Sequence, residues 1–334
     1  MEKKPGVVWQ DLLRNSLLTI LVILIFTRTA ASATGLSFDF YAASCPSAEF
    51  VVKNAVRSAS FSDSTIPGKL LRLLFHDCMV EGCDASVLLE GNATERSDPA
   101  NRSVGGFSVI SSAKTVLEIL CPQTVSCADI LALAARDAIE LAGGPSLGIP
   151  TGRRDGRVSS ALNVRPNMVD TSFTMDEMIN LFSSKGLSLD DLVTLSGAHT
   201  IGQAHCSAFS GRFRADSTGN LTLIDASLDG TYAAELARRC SAGASTASVT
   251  VNNDPETSAV FDNQYYRNLL ASRGLFQSDS VLFNDERTKS QVQDFANNQD
   301  SFFQSWGQSF LKLSSIGVKM GGEGEVRKLC SETN

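Results

Sequence analysis

The chain has 334 residues, 43% hydrophobic and 19% charged, with a net charge of −7. That hydrophobic content is ordinary for a globular protein, and the length does not demand two domains. No long basic run occurs, which speaks against nucleic acid as a partner.

At the N-terminus, Lys3, Lys4 and Arg14 precede the apolar run "LLTILVILIF" (17–26), and "ASA" follows at 31–33. The order basic, apolar, small reads as a secretory signal peptide over residues 1–33. Residues 34–334 then form one mature domain. The apolar run falls short of the ~20 residues that span a bilayer. An uncleaved membrane anchor is the alternative.

The next elements read mainly as helices. "AEFVVKNAVRSA" (48–59) carries apolar residues at helical spacing. "CADILALAARDAIELAGGP" (127–145) predicts a long apolar helix stopped by Gly-Gly-Pro. Thr174 with Glu177, and Ser188 with Asp191, form capping-box patterns. They predict helices through "MINLFSS" and through "LVTLSGAHTIG", which holds His199. Residues 262–272 and 287–317 predict further helices. Strand-like alternation is scarce, so the fold class is mainly α. Residues 91–105 and 213–230 read as polar, exposed loops. Asn92, Asn101 and Asn220 begin Asn-x-Ser/Thr sequons, as expected of glycosylated surface loops.

Eight cysteines follow the leader: Cys45, Cys78, Cys83, Cys121, Cys127, Cys206, Cys240 and Cys330. An even number in a secreted chain implies disulfides, but eight cysteines allow 105 pairings. Zinc is disfavoured, because no CxxC pair occurs and the chain has three histidines.

The stretch "LLRLLFHDCMVEGCDASVLL" (70–89) concentrates chemistry. On a helix, Arg72 and His76 share a face one turn apart. Leu70, Leu71, Leu73, Leu74 and Phe75 leave Arg72 no polar face. A buried cation then needs an anion, or a reaction that makes one. Asp77, Asp84 and Ser86 supply hard oxygens around Gly82, a set that suits Ca²⁺ or a merely solvated acidic turn. Far along the chain, "LSGAHTIGQAHC" (195–206) sets His199 among small residues that a flat cofactor could approach. One histidine could hold a haem iron while the other works on the opposite face; a structural histidine is the alternative.

At these residues the chain resembles the secreted plant (class III) haem peroxidases. "RLLFHDCMVEGCDASVLL" is similar to their distal haem motif and "LSGAHTIGQAHC" to their proximal one. "VSCADILALAARDA", "PTGRRDG", "DPETSAVFDNQYYRNLL" and "GLFQSDSVLF" resemble further blocks in the same order, from about Phe40 to Cys330. The resemblance implies two helical lobes sandwiching one haem b, two Ca²⁺ ions, and a secreted monomer acting in the apoplast. Only "SETN" follows Cys330, which fits that destination better than the vacuole. The implied activity reduces H₂O₂ and oxidises small phenolic donors by one-electron steps through a ferryl intermediate.

The resemblance also implies roles. His76 and Arg72 match the distal catalytic pair, Phe75 the aromatic residue over the haem, and His199 the axial ligand. Asp279 matches the carboxylate on the axial histidine, and Ser103 lies among the cofactor-binding residues. Asp77, Val80, Gly82, Asp84 and Ser86 match the distal Ca²⁺ site, with Glu95 linking it to the pocket. Thr200, Asp254, Thr257, Val260 and Asp262 match the proximal Ca²⁺ site, and Pro166 the donor site. The implied disulfides are Cys45–Cys121, Cys78–Cys83, Cys127–Cys330 and Cys206–Cys240.

The chain also departs from the pattern. The asparagine that holds the distal histidine would fall on Ala100, and Asn101 is expected to do its work after a one-residue shift. That role excludes a glycan on Asn101. Thr65, Lys69 and His205 differ from the usual residues near the haem propionates. Leu147 replaces a frequent tryptophan.

Overall fold

A computed structural model describes residues 35–240 and 249–334. The expected signal peptide, 1–33, lies outside the described residues. Among them are twelve α-helices and four strands of three residues each, so the fold is mainly helical. No helix among the described residues is long and apolar enough to cross a membrane.

The first half is a helical group. Helices α1 (Ala48–Ser62), α2 (Ile66–Val80), α3 (Phe107–Leu120) and α4 (Cys127–Leu141) pack on one another. Helix α4 is buried around almost its whole circumference, from Cys127 to Ile139. Its alanines permit the close approach of α2 on one side and α1 on the other. Ser126 caps its start by accepting from Asp129 N at 3.1 Å. A buried ion pair sits at the same end. Arg153 Nη1 donates to Asp129 Oδ1 at 2.9 Å, and both side chains are fully buried.

The second half is built from α5 (Val164–Asn167), α6 (Met175–Ser184), α7 (Leu189–Ser196) and α8 (Gly230–Arg239). It continues with α9 (Gln264–Leu270), α10 (Gln277–Asn284), α11 (Lys289–Asn297) and α12 (Gln299–Leu313). Both capping boxes form, at Thr174/Glu177 and Ser188/Asp191. Phe261, Tyr266, Phe295, Phe302, Trp306 and Phe310 make its aromatic core. Leu147 contributes from outside, its methyl meeting Gly307 next to Trp306.

Three local expectations change. The helix through "LVTLSGAHTIG" stops at Ser196, and residues Gly197–Thr200 form a 3-10 turn. The Tyr266 hydroxyl donates to the carbonyls of Val193 and Thr194, at 3.0 and 3.1 Å, and Gly197 N closes on the Thr194 carbonyl three residues back. The helix predicted over 287–317 breaks at Asn298, whose extended backbone ends α11 and whose side chain caps α12 through Ser301 N. Residues 213–230 are not simply a loop. β2 (Phe213–Ala215) pairs with β3 (Leu221–Leu223), as β1 (Gln203–His205) pairs with β4 (Thr250–Asn252), both antiparallel. Strands of three residues are too short to show alternation.

The two halves meet where α2 passes the segment after His199. A Cβ on Gly68 would sit 2.7 Å from the Gly202 Cα, so the backbones touch there and no side chain fits between. That contact sets the start of α2 against the turn that bears His199. A small second core of Phe209, Phe213, Tyr232, Leu236 and Leu275 backs the same turn. Four disulfides tie the frame: Cys45–Cys121, Cys78–Cys83, Cys127–Cys330 and Cys206–Cys240.

Candidate active site

Helix α2 carries Arg72, Phe75 and His76 toward one cleft. His76 is 5% exposed, and its Nδ1 lies 2.5 Å from Asn101 Oδ1. Arg72 Nε donates to His76 Nε2 at 3.2 Å. An arginine only donates, so Nε2 must be the bare nitrogen and Nδ1 must carry the proton. Both neighbours therefore select one tautomer. Burial, and then the Arg72 charge, push the imidazole down to about 3, with the Asn101 bond opposing that shift. His76 is thus a neutral base whose Nε2 lone pair faces Arg72.

Arg72 departs from the expected burial. Its side chain is exposed, lining the cleft, although desolvation by the surrounding protein still lowers its pKa. It is held by Ser103 Oγ at 3.1 Å and by the carbonyls of Ser103 and Ala100 at 3.4 Å. Phe75 is half-buried on the same face, its ring 6.3 Å from that of His76.

Residues 91–105 are also not the exposed loop that their polarity suggests. Two 3-10 turns, Glu95–Ser97 and Pro99–Asn101, roll Glu95, Asp98 and Asn101 inward. Asn101 is 2% exposed and uses both ends of its amide. Oδ1 faces His76, and Nδ2 donates to the Glu95 carbonyl at 2.8 Å. The sequon at Asn101 is therefore not a surface site, whereas Asn92 and Asn220 are exposed.

Beyond His76, Asp77, Asp84 and Ser86 fold back as a buried loop after the Cys78–Cys83 bridge. Asp77 accepts from Ala85 N and Val87 N at 2.9 and 3.3 Å, and Asp84 from Ser86 N at 3.0 Å. Burial, then Asp84 and Glu95, raise Asp77 well above the usual carboxylate range. Burial likewise lifts Glu95 to about 8. Ser86 Oγ and Glu95 Oε2 are both buried without a hydrogen-bond partner. Lys319 reaches Asp84, and Lys185 reaches the Val80 carbonyl at 3.4 Å. Buried carboxylates with orphaned oxygens fit a hard cation. Among the described residues, no three His, Cys, Asp or Glu side chains converge as a metal centre, so such a cation would lean on carbonyl and hydroxyl oxygens.

In the second half, His199 Nδ1 donates to Asp279 Oδ1 at 2.8 Å. Its side chain remains 38% exposed, and Nδ1 is the nitrogen engaged by protein. Asp279 lies in the first turn of α10 and is locked by Phe276 N on Oδ2 and Tyr265 Oη on Oδ1, each at 2.9 Å. The Phe276 ring stands edge-on to His199 at 5.1 Å. Next in the chain, Thr200 donates to Asp262 at 3.0 Å, and Thr257 bridges Asp262 and Asp254 at 3.1 and 3.0 Å. Val260 follows that turn, its N–H on the Thr257 carbonyl. The second oxygen cluster is therefore contiguous with His199.

Other expected residues lie further out. Pro166 is exposed on α5, beside Arg165, which reaches Asp98 at 3.5 Å. Lys69 pairs with Asp63 at 2.8 Å, and Thr65 bonds the same carboxylate, holding Asp63 down at about 2. His205 Nδ1 is buried without a partner. Sequence reasoning missed Tyr265, Phe276 and Lys319. Tyr265 and Asp279 lie 14 residues apart, and no spacing rule joins them. Phe276 alone left a signal, an aromatic three residues before an acid.

Comparison with known proteins covers most of the chain. A family model described as Peroxidase matches residues 52–298. Peroxidase 46 of Arabidopsis thaliana is 63% identical over 317 residues, covering 95% of this chain and 97% of that protein. Peroxidase 18 of Arabidopsis thaliana is 62% identical over 312 residues, covering 93% and 95%. Peroxidase 5 of Vitis vinifera is 42% identical over 304 residues, covering 90% and 92%.

Proposed function

The chain belongs to the peroxidase family and is a haem peroxidase, an oxidoreductase that uses H₂O₂; from that premise we propose that His76 and Arg72 activate peroxide at a haem b that His199 would hold, with small phenolic donors as the reductant. The single observation that carries the reading is the hydrogen-bonded line Arg72–His76–Asn101. It leaves one bare, neutral nitrogen beside a fixed cation.

The residues fit the cofactor. His199 offers Nε2, because its other nitrogen is taken by Asp279, and such a carboxylate fixes the tautomer and strengthens the ligand. Phe75 and Phe276 supply apolar surface near the two histidines. Haem b, when bound, would supply the redox-active iron that couples peroxide reduction to one-electron oxidation of donors.

The chain's own residues move the proton. His76 Nε2 takes it from the oxygen nearer His199 and gives it to the departing oxygen, which leaves as water. Such acid–base work contributes typically ~10²–10⁴ in rate. Arg72 stabilises negative charge on the departing oxygen from a position already fixed by Ser103 and Ala100. Asn101 keeps the second imidazole nitrogen protonated throughout.

Two Ca²⁺ ions complete the reading. Asp77, Asp84 and Ser86, with the Val80 and Gly82 carbonyls, would hold one directly behind His76. Thr200, Asp254, Thr257 and Asp262, with the Val260 carbonyl, would hold the other behind His199. Phenolic donors would approach past Pro166. The basic-apolar-small order of residues 1–33 supports secretion; a monomer acting in the apoplast is what the family resemblance implies.

An optical spectrum of purified protein, with and without H₂O₂, and turnover of a guaiacol-type phenol test the function together. Haem absorbance that H₂O₂ perturbs and phenol restores is expected. Haem-loaded protein inert to both would overturn the reading.

A further inference from the structure

Asp279 Oδ1 has two donors. His199 Nδ1 lies 2.8 Å away and Tyr265 Oη 2.9 Å away. Oδ2 is taken by Phe276 N at 2.9 Å. The carboxylate is 2% exposed and Tyr265 3%, so water does not dilute this competition. From this arrangement we propose that Tyr265 is a positioning residue that sets how much of the Asp279 charge reaches the His199 ring, and through it the electron richness of the iron. The proposal rests on the reading of His199 as the iron ligand.

The argument is one of shared charge. Hydrogen bonds to a buried carboxylate are strong, and each donor withdraws density from the acceptor. A phenol on Oδ1 leaves Asp279 a weaker acceptor for the imidazole N–H. The imidazole then keeps its proton more firmly and pushes less density toward iron. Tyr265 is the donor in this bond, because a carboxylate oxygen only accepts. Its ring also stands edge-on to His199 at 5.9 Å, which couples the hydroxyl position to the ring it influences. Tyr41 is likewise buried and spends its hydroxyl on a different carboxylate, Asp129 Oδ2, at 2.7 Å. It is the control.

The test uses haem-loaded protein and two readouts that do not depend on turnover: the ferric/ferrous midpoint potential and the iron–histidine stretching band of the ferrous form. Tyr265→Phe should shift the potential negative and the band to higher frequency. 3-Fluorotyrosine placed at Tyr265, a stronger donor of nearly the same volume, should shift both the other way. Tyr41→Phe should move neither. An unchanged potential, or the same direction of shift from both Tyr265 replacements, would overturn the proposal. If Tyr265→Phe fails to fold, the fluorotyrosine arm decides alone. Absence of the iron–histidine band from the unsubstituted protein would overturn the axial reading of His199 and this proposal with it. A band that is present but unresponsive overturns this proposal only.

Discussion

His76 donates its Nδ1 proton to Asn101 Oδ1 across 2.5 Å, and the same amide is anchored through Nδ2 to the Glu95 carbonyl at 2.8 Å. The base of the proposed reaction is thus oriented by a residue whose own rotation is fixed. Losing that bond should make His76 a weaker base, because the bond raises its proton affinity. Asn101→Val should slow the reaction with H₂O₂ by about 10- to 100-fold, the usual size of such supporting effects. Stopped-flow mixing with haem retained checks this, and an unchanged rate contradicts it.

The same geometry forbids a glycan on Asn101, since both ends of its amide are engaged and it is 2% exposed. Peptide mass spectrometry of secreted, active protein should find Asn101 bare. Asn92 and Asn220, both exposed, remain open to modification. High occupancy at Asn101 would remove it as the partner of His76.

The pH dependence follows from the direction of the His76 shift. Burial holds the folded imidazole at about 3, below an ordinary value of about 6.5. Between those values the unfolded chain binds the extra proton, so stability is present above pH ~6.5 and is lost as pH falls toward about 3. The rate with H₂O₂ should stay flat from neutral pH down to about pH 4. A sigmoidal loss centred near pH 6.5 would mean that His76 is not the buried base.

Calcium removal should destabilise the protein. Burial drives Asp77 and Glu95 toward protonation, and a bound cation would relieve both. A ligand at 100 times its Kd stabilises by about 2.7 kcal/mol. Chelation should lower the Tm and slow peroxide activation together, and re-addition of Ca²⁺ should restore both. Equal Tm and rate after verified removal contradict the two-ion reading.

Arg153 and Asp129 form a fully buried pair at 2.9 Å, with Tyr41 Oη and Gly152 N on the other carboxylate oxygen at 2.7 Å. Arg153→Met leaves that carboxylate without its cation. The expected loss is about 3–5 kcal/mol, measurable by denaturant unfolding. A loss below ~1 kcal/mol would show that the remaining donors suffice.

Much of this was legible before the structure. The capping pairs Thr174/Glu177 and Ser188/Asp191 mark their helices because a cap is a local hydrogen bond. Arg72 and His76 share a face because helical spacing alone puts them there. Polarity misled at residues 91–105. It says that a side chain needs partners, not whether those partners are water or protein, and Glu95 and Asn101 find them inside. The end of α7 was hidden for a related reason, since Tyr266, from a distant helix, donates to its last carbonyls. Tyr265 on Asp279 is likewise a tertiary contact.

The most direct measurement is stopped-flow reaction of H₂O₂ with haem-loaded wild type, His76→Ala and His205→Ala. Only His76 has a bare nitrogen beside the Arg72 guanidinium. Loss of His76 should slow the peroxide step by about 10²–10⁴, the range of a positioned acid–base group, with His205→Ala close to wild type. Comparable rates in all three proteins, or an equal loss in both variants, would contradict the assignment of His76 as the base.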